Sequence, residues 1–313
     1  MKKLPSYLFL LCMGCSLSAC VEETLKTRQP SDALVRIVYD WPSSDSSRPT
    51  AGMKLRLFPY EAAQEAHSYQ TTCEGYEGML PGGDYQLLAY NEDAPGLMLS
   101  GTEAYLQAQV EHHPSGQASD SNGELLLQPV GAIYSVAADP MNVQTRHNGV
   151  QVFHHPVRLL TAQIHMTIRN LTSYTYTAAT ARLRGIALNR NLVQHTGNFL
   201  QGTGAMDLTG SFESDGQARS ATSCLGLFNP DPRGEGTPRY VNTLRLTLTD
   251  ASGSQTIREI DLSNLLVELL GSSDLSSSLG IYIELHNQTG TDIKTVVAID
   301  AWNDGGSMDW GLR

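Results

Sequence analysis

Cys20 is the residue whose type and surroundings predict a defined chemical modification. It directly follows Leu17, Ser18 and Ala19. An apolar residue and two small residues ahead of a cysteine form the signal for cleavage before that cysteine and acylation of its thiol and amine. Two lysines and a short apolar core precede the motif, so we predict a lipoprotein signal peptide over residues 1–19 and a lipidated N-terminus at Cys20. The alternative is an ordinary secretory signal with a chance cysteine at its cleavage site.

Two pairs of adjacent histidines carry donor atoms that could bind a metal ion. His112 and His113 follow Glu111, and His154 and His155 precede a proline. Imidazoles beside a carboxylate are common metal ligands. Neighbouring residues on a strand point to opposite faces, however, so each pair can readily supply at most one ligand to a given metal ion. The sequence favours histidines in solvent-exposed loops over a metal site.

The sequence patterns of common catalytic centres are missing from the chain. It has no glycine motif for dinucleotides or phosphates, no His-Glu-x-x-His and no Gly-x-Ser-x-Gly. No pair of carboxylates stands out from the many acidic loop residues. We therefore expect a protein that is not an enzyme, with no catalytic residues, no metal-binding residues and no cofactor.

The tryptophans and cysteines each allow two interpretations. Trp41, Trp302 and Trp310 could form a platform for sugars, but the first two stand at the ends of predicted strands, which favours places in the core. Cys73 and Cys224 could form a disulfide bond in an oxidising envelope. Because they lie far apart in the sequence, two buried free thiols are the favoured interpretation.

The charge of the chain argues against some partners. The formal net charge is −11, and loss of residues 1–19 removes two lysines and no acid, which leaves −13 on the mature chain. Such an acidic chain is a poor candidate for binding nucleic acid or an anionic inner-leaflet surface. No later stretch approaches the roughly 20 apolar residues of a membrane helix. We expect a soluble body that the lipid holds at a membrane.

Alternating apolar residues predict an all-β fold. Residues 20–32 are polar and typical of a flexible tether, and Val35, Ile37 and Tyr39 then alternate with polar residues, as in a half-buried strand. Further short strands with turn residues between them predict two antiparallel β-sandwich domains, over residues 33–156 and 157–313. The spacing of leucines over residues 261–270 predicts one short helix. Residues 93–123 are expected to be mostly loop, and residues 199–218 loops and strand fragments.

The order of six short motifs resembles a known family. In the first predicted domain they lie at residues 35–41 (Val-Arg-Ile-Val-Tyr-Asp-Trp), 52–59 and 80–91, the last beginning Leu-Pro-Gly-Gly-Asp-Tyr. In the second they lie at residues 181–187, 260–266 and 296–304. The chain is similar to the fimbrillin-like lipoproteins of Bacteroidales-type (type V) pili, especially the minor fimbrium anchor-like, accessory branch and a related domain-of-unknown-function family.

This resemblance implies a fold, a location and partners. The fold would be two transthyretin-like β-sandwiches, with Gly82 and Gly83 in a turn and Tyr85, Tyr90 and Trp302 in the cores. The protein would be lipid-anchored in the cell outer membrane, surface-exposed, and part of a fimbrium in cell adhesion. Its partners would be fimbrial subunits that bind by strand addition. The alternative function is a carbohydrate-binding surface lipoprotein of a glycan-uptake system.

The end of the chain favours a terminal position in a fimbrium. Beyond a predicted turn, residues 307–313 reach only about 23 Å as an extended strand, which is short for a shaft subunit that donates a long strand. We therefore expect an anchor or tip. An anchor would keep its lipid, so Arg28 would not be a processing site.

Overall fold

A computed structural model describes residues 32–42, 48–61, 64–120, 123–145, 149–195, 203–227, 242–270, 279–288 and 293–301. In the first half of the chain the strands are β1 (Asp32–Asp40), β2 (Met53–Pro59), β3 (His67–Thr71), β4 (Gly75–Pro81), β5 (Gly83–Tyr90), β6 (Leu97–Ser100), β7 (Gln109–His112), β8 (Gln117–Ser119), β9 (Leu125–Leu127), β10 (Tyr134–Val143) and β11 (Gln151–Pro156). In the second half they are β12 (Arg158–Leu159), β13 (Ala162–Leu171), β14 (Tyr176–Ala187), β15 (Asn189–Asn191), β16 (Thr203–Ser211), β17 (Gln217–Cys224), β18 (Thr243–Asp250), β19 (Gln255–Asp261), β20 (Leu279–Asn287) and β21 (Ile293–Ala301). One α-helix, α1, spans Ser263–Leu270, and two 3₁₀ turns span Tyr105–Gln107 and Pro114–Gly116.

Two sheets form the first sandwich. Sheet A has the strand order β11-β1-β4, and sheet B has the order β12-β10-β5-β2-β3. The alternation expected for β1 is confirmed, because Val35, Ile37 and Tyr39 are buried and the residues between them are more exposed. These side chains share one apolar cluster with Leu55 and Leu57 of β2. The burial of this face is what fixes the register of β1.

Two further sheets form the second sandwich. Sheet D has the order β19-β18-β14-β16-β9-β8, and sheet E has the order β17-β13-β20-β21. The predicted alternation of Ile164, Met166 and Ile168 is confirmed in β13, where all three are buried. They share a second apolar cluster with Leu246 and Leu248 of β18. The all-β, sandwich-like architecture predicted from the sequence is therefore confirmed.

The two sandwiches repeat one arrangement of strands. In sheet A, β1 lies between β11, which runs parallel to it, and β4, which runs antiparallel. In sheet E, β13 lies between the parallel β20 and the antiparallel β17. Sheets A and E thus each insert their first strand between two later ones.

Short strands connect the two sandwiches. The hairpin of β8 and β9 comes from the first half of the chain, yet β9 pairs with β16 of sheet D through Leu126 and Ala205. Conversely, β15 pairs with β7 and β6 in a small sheet C. A third apolar cluster combines Tyr90 and Tyr105 with Leu192 and other residues of the second half. The boundary at Pro156 stays a prediction, since these connections cross it.

Three local expectations need correction or refinement. Residues 93–123 are mostly loop and 3₁₀ turn where the structure describes them, as expected, but they also contain the short strands β6, β7 and β8; residues 199–218 contain the whole of β16 and the start of β17. The glycines of β16 serve close packing, because a Cβ on Gly210 would lie 2.8 Å from the carbonyl oxygen of Arg219. The helix begins two residues later than predicted, at Ser263, whose backbone N–H donates to Asp261 at 2.8 Å. None of the described helices is long and apolar enough to cross a membrane.

Candidate functional site

Sheet A is the part of the described chain that lies closest in sequence to the predicted lipid. Cys20 and Arg28 lie outside the described residues, as does nearly all of the predicted tether. The first described strand, β1, begins at Asp32, twelve residues after Cys20. Because β1 is the described element nearest in sequence to the predicted lipid, we take sheet A as the candidate functional site.

Pairing on both sides holds β1 along its length. Its residues from Val35 to Asp40 are in register with β11, and those from Asp32 to Val38 are in register with β4. Its inward side chains fill the first apolar cluster. A pull along β1 would load these hydrogen bonds together, since ladder bonds lie across the strand direction.

Aromatic residues hold the far end of β1. The hydroxyl of Tyr39 lies 3.3 Å from that of Thr71, and burial raises the pKa of Tyr39 to about 12. Trp41 donates from Nε1 to the carbonyl oxygen of Cys73 at 2.6 Å and meets Tyr134 edge to face with 5.0 Å between ring centres. These contacts tie the end of β1 to sheet B and to the connection between β3 and β4.

The outward face of sheet A combines ion pairs with exposed apolar side chains. Arg36 donates to Glu77 at 2.7 Å, and His154 lies 3.1 Å from Asp40. Around the first pair stand three exposed apolar side chains, of Leu34, Met79 and Val152. We call these three residues the apolar patch.

Several strands have one unpaired edge among the residues that the structure describes. In sheet A these are β4 and β11, and in sheet B the outer edge of β3 is likewise unpaired. Unpaired N–H and C=O groups at a sheet edge can accept an added strand. The first sandwich therefore offers edges on both of its sheets.

The histidine pairs do not come together. His112 is buried in β7, and burial lowers its pKa to about 4, whereas His113 is exposed and its Nδ1 accepts from the backbone N–H of Ser115. His154 and His155 lie on β11, where burial lowers the pKa of His155. The placement of these histidines in loops was thus wrong for His112, His154 and His155. Within the described ranges, no three His, Cys, Asp or Glu side chains form a group that could hold a metal ion.

The described tryptophan and cysteines take structural places. Trp41 packs against the first apolar cluster, and Arg48 stacks over its ring at 5.4 Å. Trp302 and Trp310 lie outside the described residues. Cys73 and Cys224 are free thiols, as the sequence favoured, but Cys73 is half-buried rather than buried. Cys224 is buried, and this burial raises the pKa of its thiol to about 11, which disfavours the thiolate form.

Sequence reasoning missed two strands of the first sandwich, one of which, β4, belongs to the site. Neither β3 nor β4 was expected, so Glu77 and Met79 were not identified as surface residues of sheet A. The turn expected at residues 80–83 is confined to Gly82, because Pro81 ends β4 and Gly83 begins β5. The alternating exposure of β4 was hidden by its two glycines, which carry no hydropathy signal. Tyr85 and Tyr90 are buried, as expected.

One family model matches the sequence, and it is described as a domain of unknown function (DUF5119). The match spans residues 19–200, which is more than half of the chain. No protein of curated function matches the sequence.

Solved structures with a similar fold come from Bacteroides and Porphyromonas. A candidate adhesin from Bacteroides ovatus superimposes with a TM-score of 0.57 at 12% identity, covering 82% of this chain and 90% of that one. The fimbrial anchor protein Mfa2 from Porphyromonas gingivalis gives 0.53 at 13% identity, with 87% and 98% covered. A structure described as a candidate polysaccharide-binding protein (DUF1812) from Bacteroides thetaiotaomicron gives 0.56 at 12% identity, with 88% and 99% covered. At these identities the likeness establishes a shared fold.

Proposed function

Because the chain belongs to the DUF5119 family and has the fold of a fimbrial anchor protein, we propose that it is an outer-membrane lipoprotein acting as an anchor, tip or accessory component of a fimbrium in surface adhesion. The observation that carries this proposal is the direct continuity between the lipobox segment and β1. A lipid at Cys20 would lie twelve residues before a strand that is paired on both sides.

The geometry of β1 suits a protein that transmits force. Tension on the tether would act along β1, and its hydrogen bonds to β11 and β4 would resist together rather than break one by one. The buried side chains of Val35, Ile37 and Tyr39 add to this resistance because they must leave the core before β1 can slide. An anchor needs such a strand at the point where the lipid joins the fold.

Partner binding would use strand addition at an unpaired edge of the first sandwich. An extended segment of a fimbrial subunit would pair its backbone with the outer edge of β4, β11 or β3, and its alternate side chains would set the register. No catalytic step is part of this proposal, and the adhesin and fimbrial proteins of similar fold support a structural role.

The carbohydrate-binding alternative has weaker support. A DUF1812 protein of similar fold is described as a candidate polysaccharide binder. Sugar platforms need exposed aromatic faces, however, and Trp41 is covered by Arg48 on its ring and by Tyr134 at its edge. Glycan-array binding that depends on tryptophan side chains would favour this alternative over the fimbrial role.

Site-specific photo-crosslinking in intact cells tests the partner. A photoreactive amino acid at the exposed Ser68 on β3 should crosslink to a fimbrial subunit, whereas the same group at the exposed Gln255 on β19 should give little of this product. Both positions are exposed and lie on edge strands, but in different sandwiches. Equal crosslinking at the two positions, or none at Ser68 in fimbriated cells, would argue against strand addition at the edge of β3.

A further inference from the structure

The apolar patch stands at the end of sheet A where the tether enters. Leu34 is 37% exposed, Met79 53% and Val152 49%. Leu34 lies directly opposite Met79 in the ladder of β1 and β4, and Val152 lies opposite Arg36 in the ladder of β1 and β11. The three side chains therefore share one outward surface, at the ladder positions of Leu34 and Arg36, which lie two and four residues after the first described residue, Asp32.

Ion pairs reduce the charge of this surface. Glu77 is paired with Arg36, and Asp40 has His154 as its neighbour. In a mature chain of formal charge −13, the pairing of Glu77 with Arg36 lowers the net charge around the apolar patch, which favours contact with an uncharged interface. Exposed apolar side chains around a paired arginine match the chemistry of the region between lipid headgroups and acyl chains.

The length of the tether keeps the patch close to the lipid. Asp32 lies twelve positions after Cys20, and a fully extended chain of that length spans at most about 40 Å. A group held on so short a tether has an effective concentration in the millimolar range at the surface. Under these conditions a contact too weak to recruit a free protein is enough to orient a tethered one.

We propose that the outward face of sheet A is the membrane-facing side of the lipidated protein, with Leu34, Met79 and Val152 resting in the bilayer interface. This inference rests on the proposed function, because it requires a lipid at Cys20. It adds an orientation to that function: the edges of sheet A would lie close to the membrane, and the second sandwich would point away from it.

Quenching by brominated lipids tests the orientation directly. The full-length lipoprotein carries Met79→Cys or Ile257→Cys in a Cys73→Ser background, each labelled with a fluorophore and reconstituted into brominated phosphatidylcholine vesicles. Ile257 is the matched control, since it is also exposed, at 42%, but lies on β19 of the second sandwich. We expect about twofold quenching at position 79 and almost none at position 257.

A second pair of variants separates the inference from the proposed function. Cys20→Ala should abolish quenching at position 79, because a weak contact needs the tether. Val152→Ser combined with Leu34→Ser should reduce it in the lipidated protein, and both sites are exposed enough to tolerate serine. If mass spectrometry finds acyl chains on Cys20 but positions 79 and 257 are quenched equally or not at all, the orientation is wrong. If Cys20 carries no lipid, the anchor proposal itself fails.

Discussion

Arg182 on β14 should hold the β8–β9 hairpin on the second sandwich. Its guanidinium donates through Nε and Nη2 to the two carboxylate oxygens of Asp207, at 2.8 and 2.9 Å. It also donates through Nη1 to Asp120 at 2.7 Å and to Glu124 at 3.3 Å. The last two acids border the turn between β8 and β9, so one side chain links strands from both halves of the chain.

The cost of Arg182→Ala follows from the burial of its partners. Asp207 is 35% exposed, so its fork-shaped pair contributes up to about 1 kcal/mol. Asp120 is only 12% exposed, and leaving its charge without this partner costs about 1.5–3 kcal/mol. Glu124 keeps Arg184 as a partner. The variant should therefore lose about 2–4 kcal/mol of unfolding free energy.

Urea denaturation of the full-length body measures this loss, with Arg219→Ala as the matched control. Arg219 also contacts two carboxylates, of Glu213 and Asp215, but it is 46% exposed, so solvent screens these pairs and its removal should destabilise the protein much less than Arg182→Ala does. Arg182→Lys should fall between wild type and Arg182→Ala, because an ammonium cannot reproduce the fork. Hydrogen exchange should accelerate in residues 117–127. Equal losses of unfolding free energy in the two alanine variants, or unchanged hydrogen exchange in the β8–β9 hairpin, would refute the idea that Arg182 holds this hairpin in place.

Three further predictions concern stability. Burial lowers the pKa of His112 in the folded protein to about 4, against 6.5 in the unfolded chain. As the pH falls from 6.5 to 4 the unfolded state therefore binds a proton first, and the free energy of unfolding should drop by about 3 kcal/mol. His112→Leu should remove this pH dependence of stability in urea denaturation, whereas His154→Leu should keep it. Gly52→Ala should lower the free energy of unfolding by at least about 2 kcal/mol more than Gly253→Ala does. Both glycines have a positive φ, but only a Cβ on Gly52 would meet a backbone carbonyl oxygen, at 2.2 Å. Similar losses of stability for the two variants in thermal unfolding would contradict this prediction. Fragments cut at Pro156 should each unfold cooperatively and bind each other through the third apolar cluster; fragments that stay separate in gel filtration would show that the connecting strands add little.

The sequence predicted the elements whose apolar side chains alternate with polar ones. The prediction of β1 rested on the alternating Val35, Ile37 and Tyr39. That of β13 rested on Ile164, Met166 and Ile168, because a half-buried strand carries apolar side chains at every second position. The all-β class and the two sandwich-like units followed from the number of these strands. The motif order also led to the right fold family.

The missed elements are those whose place depends on distant partners. The glycines of β16 looked like turn residues, but they allow neighbouring backbone and side chains to approach closely. β8 has only three residues, Gln117–Ser119, with no buried apolar side chain. Its position therefore depends on pairing with β9 and on the ion pair of the adjacent Asp120 with Arg182, neither of which the composition of β8 indicates. The apolar patch could not be predicted either, because it needs the register that brings Leu34, Met79 and Val152 together.

The mature N-terminus is the measurement that tests the central claim most directly. Intact-mass and peptide mass spectrometry of the protein from native outer membranes should find an N-terminus at Cys20 that carries acyl chains, and a fatty-acid analogue should label wild type but not Cys20→Ala. An unmodified Cys20, or label retained in Cys20→Ala, would contradict lipidation at this residue. An N-terminus at Gln29, or beyond β1, would exclude an anchor that keeps its lipid and would favour a processed tip or shaft subunit.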